Sequence, residues 1–230
     1  MKKHFLLALG LLLILSFNVD ARKARKTVAI LGDSYSTFES FIPQGNPSWY
    51  FKVADTARTD VNDVRQTWWW QTVSKGGYRL GAVESYSGST VSNRGYDGAD
   101  FSSISFLARA SRLGNPDIIL ICGGTNDSWA GVPAGEYKYE DMTAEDLYTY
   151  RPALARLFQI IGDRYPNVEV YFILNDGLGE GVVESTLAIC RHYGIPCIEL
   201  KDIEKKAGHP DRRGMESISE QVLNVIGKNR

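Results

Sequence analysis

An α/β fold built on one parallel, doubly wound sheet of five strands is predicted by three observations on this 230-residue sequence. Five short apolar runs recur along it, segments of helical periodicity fall between most of them, and glycines close three of those segments. The strands are expected at residues 28–31, 80–86, 117–122, 168–174 and 196–200. Residues 151–165 give the clearest helix, because Leu154, Leu157, Phe158 and Ile161 recur at spacings of three and four, with Gly162 and Pro166 near its end. Residues 67–75 before Gly76-Gly77, 182–193 before Gly194, and 215–226 before Gly227 also read as helices stopped by glycine. No internal repeat or low-complexity linker interrupts the series.

Ahead of the first strand, Lys2 and Lys3 precede an apolar run at 5–17 and then Val19-Asp20-Ala21, a small-residue pattern suited to signal peptidase. The run is short for a bilayer span and no cysteine lies near the site to accept lipid. Residues 1–21 are therefore expected to be a cleaved signal peptide, and 22–230 one exported domain, periplasmic or secreted, with no stable membrane insertion afterwards. Lys and Arg number 26 against 27 Asp and Glu, a net charge of −1, so no nucleic-acid partner is expected. Cys122, Cys190 and Cys197 show no metal-ligand spacing; in an exported chain Cys190 and Cys197 either pair or remain buried thiols.

Chemistry-bearing residues fall just beyond the strand ends, where open α/β sheets keep their ligands. Ser34 follows the first strand in Gly32-Asp33-Ser34-Tyr35-Ser36, Gly88 follows the second in Ser87-Gly88-Ser89-Thr90, and Asn126 follows the third in Gly123-Gly124-Thr125-Asn126-Asp127. His209, in Gly208-His209-Pro210, lies after the fifth strand and before the last helix, and reaches the same rim. Acyl transfer needs a nucleophilic hydroxyl, a base for its proton, and donors aimed at the developing oxyanion. Ser34 is the candidate nucleophile and His209 the base, with the N–H groups of Ser34 and Gly88 and the Asn126 amide as the oxyanion hole. Each motif alone suits a turn or a helix cap; their conjunction on one edge favours catalysis. His192, near a helix C-terminus, reads as structural.

These strings resemble the SGNH, or GDSL-type, serine hydrolases. Gly32-Asp33-Ser34-Tyr35-Ser36 is similar to the family's first block, Gly88 to the second, Gly124-Thr125-Asn126-Asp127 to the third, and His209-Pro210 to the fifth, in the family's order. The resemblance implies a flavodoxin-like three-layer α/β/α sandwich and metal-independent ester hydrolysis without a cofactor, using Ser34, Gly88, Asn126 and His209. It also marks two departures. The aspartate usually three residues before the histidine is Lys206 here, and Glu84-Ser85-Tyr86 stands where an asparagine often precedes the second block's glycine. Asp202 is then the carboxylate expected to orient His209, ahead of Glu204 and Asp211, with a Ser-His dyad oriented by a backbone carbonyl as the alternative.

Two long excursions carry aromatics. Residues 38–66 hold Trp49-Tyr50-Phe51 and lead to Trp68-Trp69-Trp70; residues 128–145 hold Trp129, Tyr137 and Tyr139. Long loops in compact domains are often functional, so Trp49, Tyr50 and Trp129 are candidate substrate-binding residues, while Trp69 and Trp70 are expected to pin the excursion to the core. The sequence thus points to an exported esterase acting on a small acylated substrate, with acetyl on a glycan the favoured case. The alternatives are a glycan-binding module that has lost its acid, and a flavodoxin-like phosphate or flavin binder using residues 34–37.

Overall fold

The computed structural model describes residues 24–227, so the signal-peptide segment lies outside the described residues. Strands β1 (Thr27–Gly32), β2 (Arg79–Ser85), β3 (Ile118–Gly123), β4 (Glu169–Leu174) and β5 (Cys197–Glu199) form one parallel sheet in the order β2-β1-β3-β4-β5. All five expected strands are present.

Alternation along the central strands sorts the core into two layers. Val28, Ile30, Ile118, Leu120 and Ile173 face helices α1 (Trp68–Lys75) and α6 (Arg212–Ile226), meeting Trp68, Trp69, Met215, Ile218 and Val222. Ala29, Leu31, Ile119, Ile121, Phe172 and Leu174 face α2 (Phe106–Arg109), α4 (Tyr150–Arg164) and α5 (Glu180–Tyr193), meeting Phe106, Leu154, Leu157, Phe158 and Ile189. Helices on both faces give the three-layer α/β/α sandwich.

Helix ends follow local chemistry. Asp211 accepts the Gly214 N–H at 2.8 Å and starts α6 three residues before the apolar periodicity does. Gly194, at φ 66°, closes α5 in the left-handed conformation. His192 lies in the last turn of α5 and stacks on Tyr139 at 3.6 Å. Cys122, Cys190 and Cys197 are free thiols, the last two in contact between α5 and β5. Trp69 is buried and Trp70 partly buried against the core, and the Trp69 indole donates to the Ser36 carbonyl at 3.0 Å.

Two features escape the periodicity. Helix α3 (Thr125–Trp129) is one short turn after β3. The segment after β5 is a minimal antiparallel hairpin, β6 (Lys205–Lys206) and β7 (His209–Pro210), around Ala207 and Gly208, whose φ values are both positive at 46° and 76°. Two positive-φ residues between paired strands are what a tight, right-twisted hairpin turn requires.

The strand order reverses between β1 and β3, and the crevice outside their carboxyl ends is the expected ligand position. Gly32 ends β1 at that crevice with no room for a side chain. A Cβ there would sit 2.4 Å from Ser36 Oγ and 2.9 Å from Ser85 Oγ. Overpacking costs about 1–3 kcal/mol, and each kcal/mol moves the midpoint of a domain this size by about 2–4 °C. Gly32→Ala is therefore expected to lower Tm by several degrees in a thermal melt.

Candidate active site

At the end of β1 the Asp33 carboxylate accepts the Tyr35 N–H at 3.0 Å and caps a tight turn at Ser34–Ser36. That turn fixes Ser34, 3 % exposed, with its Oγ 2.8 Å from His209 Nε2. The other Asp33 oxygen has no hydrogen-bond partner among the described residues. Burial pushes the Asp33 carboxyl up to about 7, against the pull of the Tyr35 N–H and the Arg109 charge.

His209 sits on β7, just past the hairpin turn. Its Nδ1 lies 3.1 Å from the Ala207 carbonyl oxygen. A carbonyl only accepts, so that contact places the proton on Nδ1 and leaves the Nε2 lone pair for the serine hydroxyl. The structure does not bring Asp202 to the ring: the group at Nδ1 is the Ala207 main-chain carbonyl, the alternative to that carboxylate. Asp202 is exposed, with a left-handed φ of 54°, and the ring bonds elsewhere. The weaker candidates are also occupied otherwise, Asp211 as the cap of α6 and Glu204 with Arg213 at 3.8 Å. Lys206, in the position of the usual acid, bonds its ammonium to the Thr56 carbonyl and ties the hairpin to the long loop.

Two tyrosines hold the backbone on either side of His209. Tyr35 donates its hydroxyl to Gly208 O at 2.7 Å and accepts from Asn175 Nδ2 at 3.0 Å. Tyr50 donates to Pro210 O at 2.9 Å. Tyr50 is 0 % exposed, which corrects its reading as a substrate-binding residue: its ring is core and its hydroxyl belongs to the histidine loop. Trp49 is corrected in a different way. Its ring stacks on the His209 imidazole at 3.5 Å and 10°, and the Arg58 guanidinium lies 3.9 Å from the same ring. Two groups that close to one ring cannot share a face, so both faces are taken and neither is open to a sugar. Trp129 is 45 % exposed and stands edge-on to His209 at 5.8 Å, which leaves it as the accessible aromatic of the three.

Enclosure lowers the basicity of the imidazole. Burial holds His209 down at about 4, partly opposed by the Ala207 carbonyl, with the Arg58 and Lys205 charges adding to the depression.

The oxyanion donors are arranged by the loops after β2 and β3. Gly88 has a φ of 87°, a left-handed position that glycine adopts without strain. Among the described residues, the N–H groups of Ser34 and Gly88 donate to no other backbone group. Asn126 spends one amide hydrogen on Ser89 O at 3.0 Å and accepts the Tyr96 hydroxyl at Oδ1, 2.7 Å away, so its second amide hydrogen is left to face a ligand. Asp127 accepts the Val91 and Ser92 N–H groups at 2.7 and 3.0 Å and binds the two loops together; burial raises its carboxyl to about 6 in spite of them.

Sequence reasoning missed Tyr96 and Arg109, offered a main-chain carbonyl as orienter without saying which, and misread Tyr50. Arg109 alone left a trace, a single charge in the apolar stretch Phe106-Leu107-Ala108-Arg109-Ala110. Among the described residues, no group of three or more His, Cys, Asp or Glu side chains is placed to share a metal ion.

The family model for GDSL-like lipase/acylhydrolase matches residues 26–226. A Bacteroides ovatus protein called a GDSL-like lipase is 54 % identical, with a TM-score of 0.87 over 90 % of this chain and 100 % of its own. A Bacteroides uniformis protein of the same description is 47 % identical, again with a TM-score of 0.87, over 90 % of this chain and 97 % of that one. A family two carbohydrate esterase from Clostridium thermocellum, in complex with cellohexaose, shares the fold at 14 % identity and a TM-score of 0.55, over 89 % of this chain and 64 % of that one. No curated protein matches the sequence.

The buried imidazole has a measurable signature. Titration of its ring signals by NMR is expected to give a midpoint near 4 for His209, well below the ordinary 6.5. Between those values the unfolded chain binds the extra proton, so the stability this residue contributes is complete above about 6.5 and is lost as pH falls toward 4.

Proposed function

The chain belongs to the GDSL-like lipase/acylhydrolase family and is a hydrolase, and we propose that it is an exported esterase that removes small acyl groups, acetyl above all, from carbohydrate esters through a Ser34–His209 dyad. The observation that carries this reading is the 2.8 Å contact between Ser34 Oγ and His209 Nε2, with the other ring nitrogen on a main-chain carbonyl.

In the proposed reaction Ser34 Oγ attacks the ester carbonyl carbon while His209 Nε2 accepts the hydroxyl proton. The carbonyl oxygen takes the negative charge and is met by the N–H groups of Ser34 and Gly88 and the free amide hydrogen of Asn126. As the tetrahedral centre collapses, the bond to the alcohol breaks and His209 gives its proton to the leaving oxygen. A water then repeats the sequence on the acyl-enzyme, its proton passing through His209, and the acid leaves as Ser34 recovers its hydrogen.

A nucleophile enclosed this closely favours a short acyl chain, and the exposed Trp129 beside it offers a face for a sugar ring. The carbohydrate esterase among proteins of this fold agrees with that class of alcohol. Export rests on the basic, apolar and small-residue pattern of residues 1–21. The partner in this reading is the small acylated substrate alone, without nucleic acid and without stable membrane insertion. Among the described residues no helix is long and apolar enough to cross a membrane.

The test is hydrolysis of p-nitrophenyl acetate and of acetylated saccharides by the mature protein and its variants. Ser34→Ala and His209→Ala are expected to lose at least a thousand-fold in kcat, as members of a working nucleophile-base pair do, roughly 10⁴-fold or more in known triads. Asn126→Ala is expected to lose about 10²–10³-fold. Asp202→Asn separates dyad from triad: loss of an orienting acid costs about 10⁴-fold in a serine protease, whereas here the variant is expected to stay within about threefold of wild type. A wild type silent on every acetyl ester would overturn the esterase reading and favour glycan binding. Tyr96→Phe, which frees Asn126 Oδ1, is expected to lower kcat about fivefold, the worth of one hydrogen bond near 1 kcal/mol.

A further inference from the structure

The orienting acid of a serine hydrolase fixes the tautomer of its histidine, holds the plane of the ring, and stabilises the imidazolium as it forms. The Ala207 carbonyl accounts for the first of these. The ring turns about its Cβ–Cγ bond, and the single-atom contacts of Nδ1 with Ala207 O and of Nε2 with Ser34 Oγ restrain that rotation less firmly than a two-oxygen acid held by its own partners would, so a further support for the plane is needed. Trp49 lies parallel to the imidazole at 3.5 Å and 10°, and a flat contact against a ring face blocks that motion.

Trp49 is itself held. Its backbone N–H donates to Thr37 Oγ1 at 2.8 Å, and the same hydroxyl donates to Ser34 O at 3.0 Å, so the main chain that carries the indole is anchored to the turn that carries the nucleophile. On its far face stands the Arg58 guanidinium, 3.9 Å from the ring. Resting on the dyad reading above, we infer that Trp49 is a positioning residue that replaces the missing acid mechanically: clamped between Arg58 and His209, it presses the imidazole into the plane that aims Nε2 at Ser34.

The charges around the ring fit this division of labour. From the long loop Arg58 acts on it across the indole, from the hairpin Lys205 does so, itself paired with Asp176, and from the nucleophile turn the Tyr35 ring packs on it, tilted at 5.3 Å. The two cations disfavour protonation. The π-face of Trp49 attracts the imidazolium once it has formed. The base therefore rests neutral and becomes charged only as the serine proton moves.

The experiment compares Trp49→Phe, Trp49→Leu and Trp49→Ala, each checked for native folding by circular dichroism. For p-nitrophenyl acetate, Trp49→Ala and Trp49→Leu are expected to lose at least about tenfold in kcat with KM changed less than about threefold, the pattern of lost transition-state alignment. Trp49→Phe, which keeps a flat face, is expected to recover most of kcat. The acid limb of the kcat/KM profile should move upward toward 6.5 in the alanine variant, where water reaches the ring. Trp49→Leu, similar in bulk but without an aromatic face, serves if the alanine variant fails to fold. A rise in KM at unchanged kcat would overturn the inference and make Trp49 a substrate platform, and equal kcat in all variants would overturn it outright. NMR titration of the His209 ring needs no turnover. A downward shift of its midpoint in Trp49→Leu relative to wild type, because the bulk stays while the face that favours the imidazolium is lost, supports the contact even if the protein proves inactive on every ester, so failure of the esterase reading is distinguishable from failure of this one; no shift would count against the contact.

Discussion

The Arg109 guanidinium, 1 % exposed behind the carboxyl ends of β1 and β2, donates to Gly32 O at 3.2 Å, Glu84 O at 2.6 Å, Ser89 Oγ at 2.7 Å and Ile104 O at 2.9 Å. A buried charge is tolerated only when its hydrogen bonds are made, and these acceptors include the last residue of β1, the penultimate residue of β2 and the residue after Gly88. Burial lowers the group to about 10, offset in part by Glu84 and Asp33, so it remains a cation at neutral pH. The nucleophile turn and the oxyanion loop are thereby held to one another, because both must supply acceptors to the same planar fork. Asp127 completes the arrangement from α3, just past β3, by accepting the N–H groups of Val91 and Ser92.

The base is brought to this frame by tyrosine hydroxyls. Tyr35 is the neighbour of Ser34 in sequence, and its hydroxyl ends on Gly208, the neighbour of His209. Nucleophile and base are therefore joined by one rigid side chain as well as by their own contact. Tyr50 secures the other flank at Pro210. A misplacement of 1 Å in such a pair costs about a hundred-fold in rate, which gives these buried hydroxyls a role in geometry that their distance from the ester would not indicate.

Much of this was legible in the sequence, for reasons particular to each element. The strands were readable because β1 and β3 are apolar on both faces, as strands covered by helices must be. Ser34, Gly88 and Asn126 were readable because each is a turn-forming residue directly beyond such a strand. The hairpin at 205–210 was not, since two-residue strands have no periodicity to detect; only Gly208 hinted at it. Tyr50 was misread because an aromatic in a long loop gives no sign of whether it faces solvent or core. The group that orients His209 was left open between Asp202 and a main-chain carbonyl, and no residue type could have decided it. Every residue carries a carbonyl, and what selects Ala207 is a backbone angle.

A carbonyl in place of a carboxylate also alters the field a substrate meets. An acid would add a full negative charge beside the base, felt by an incoming ester over a Debye length of about 8 Å at physiological salt. The Ala207 oxygen contributes a dipole instead, and the charges that act on the imidazole are those of Arg58 and of Lys205, the latter paired with Asp176. An anionic ester consequently approaches this site without the repulsion that an acid beside the base would impose.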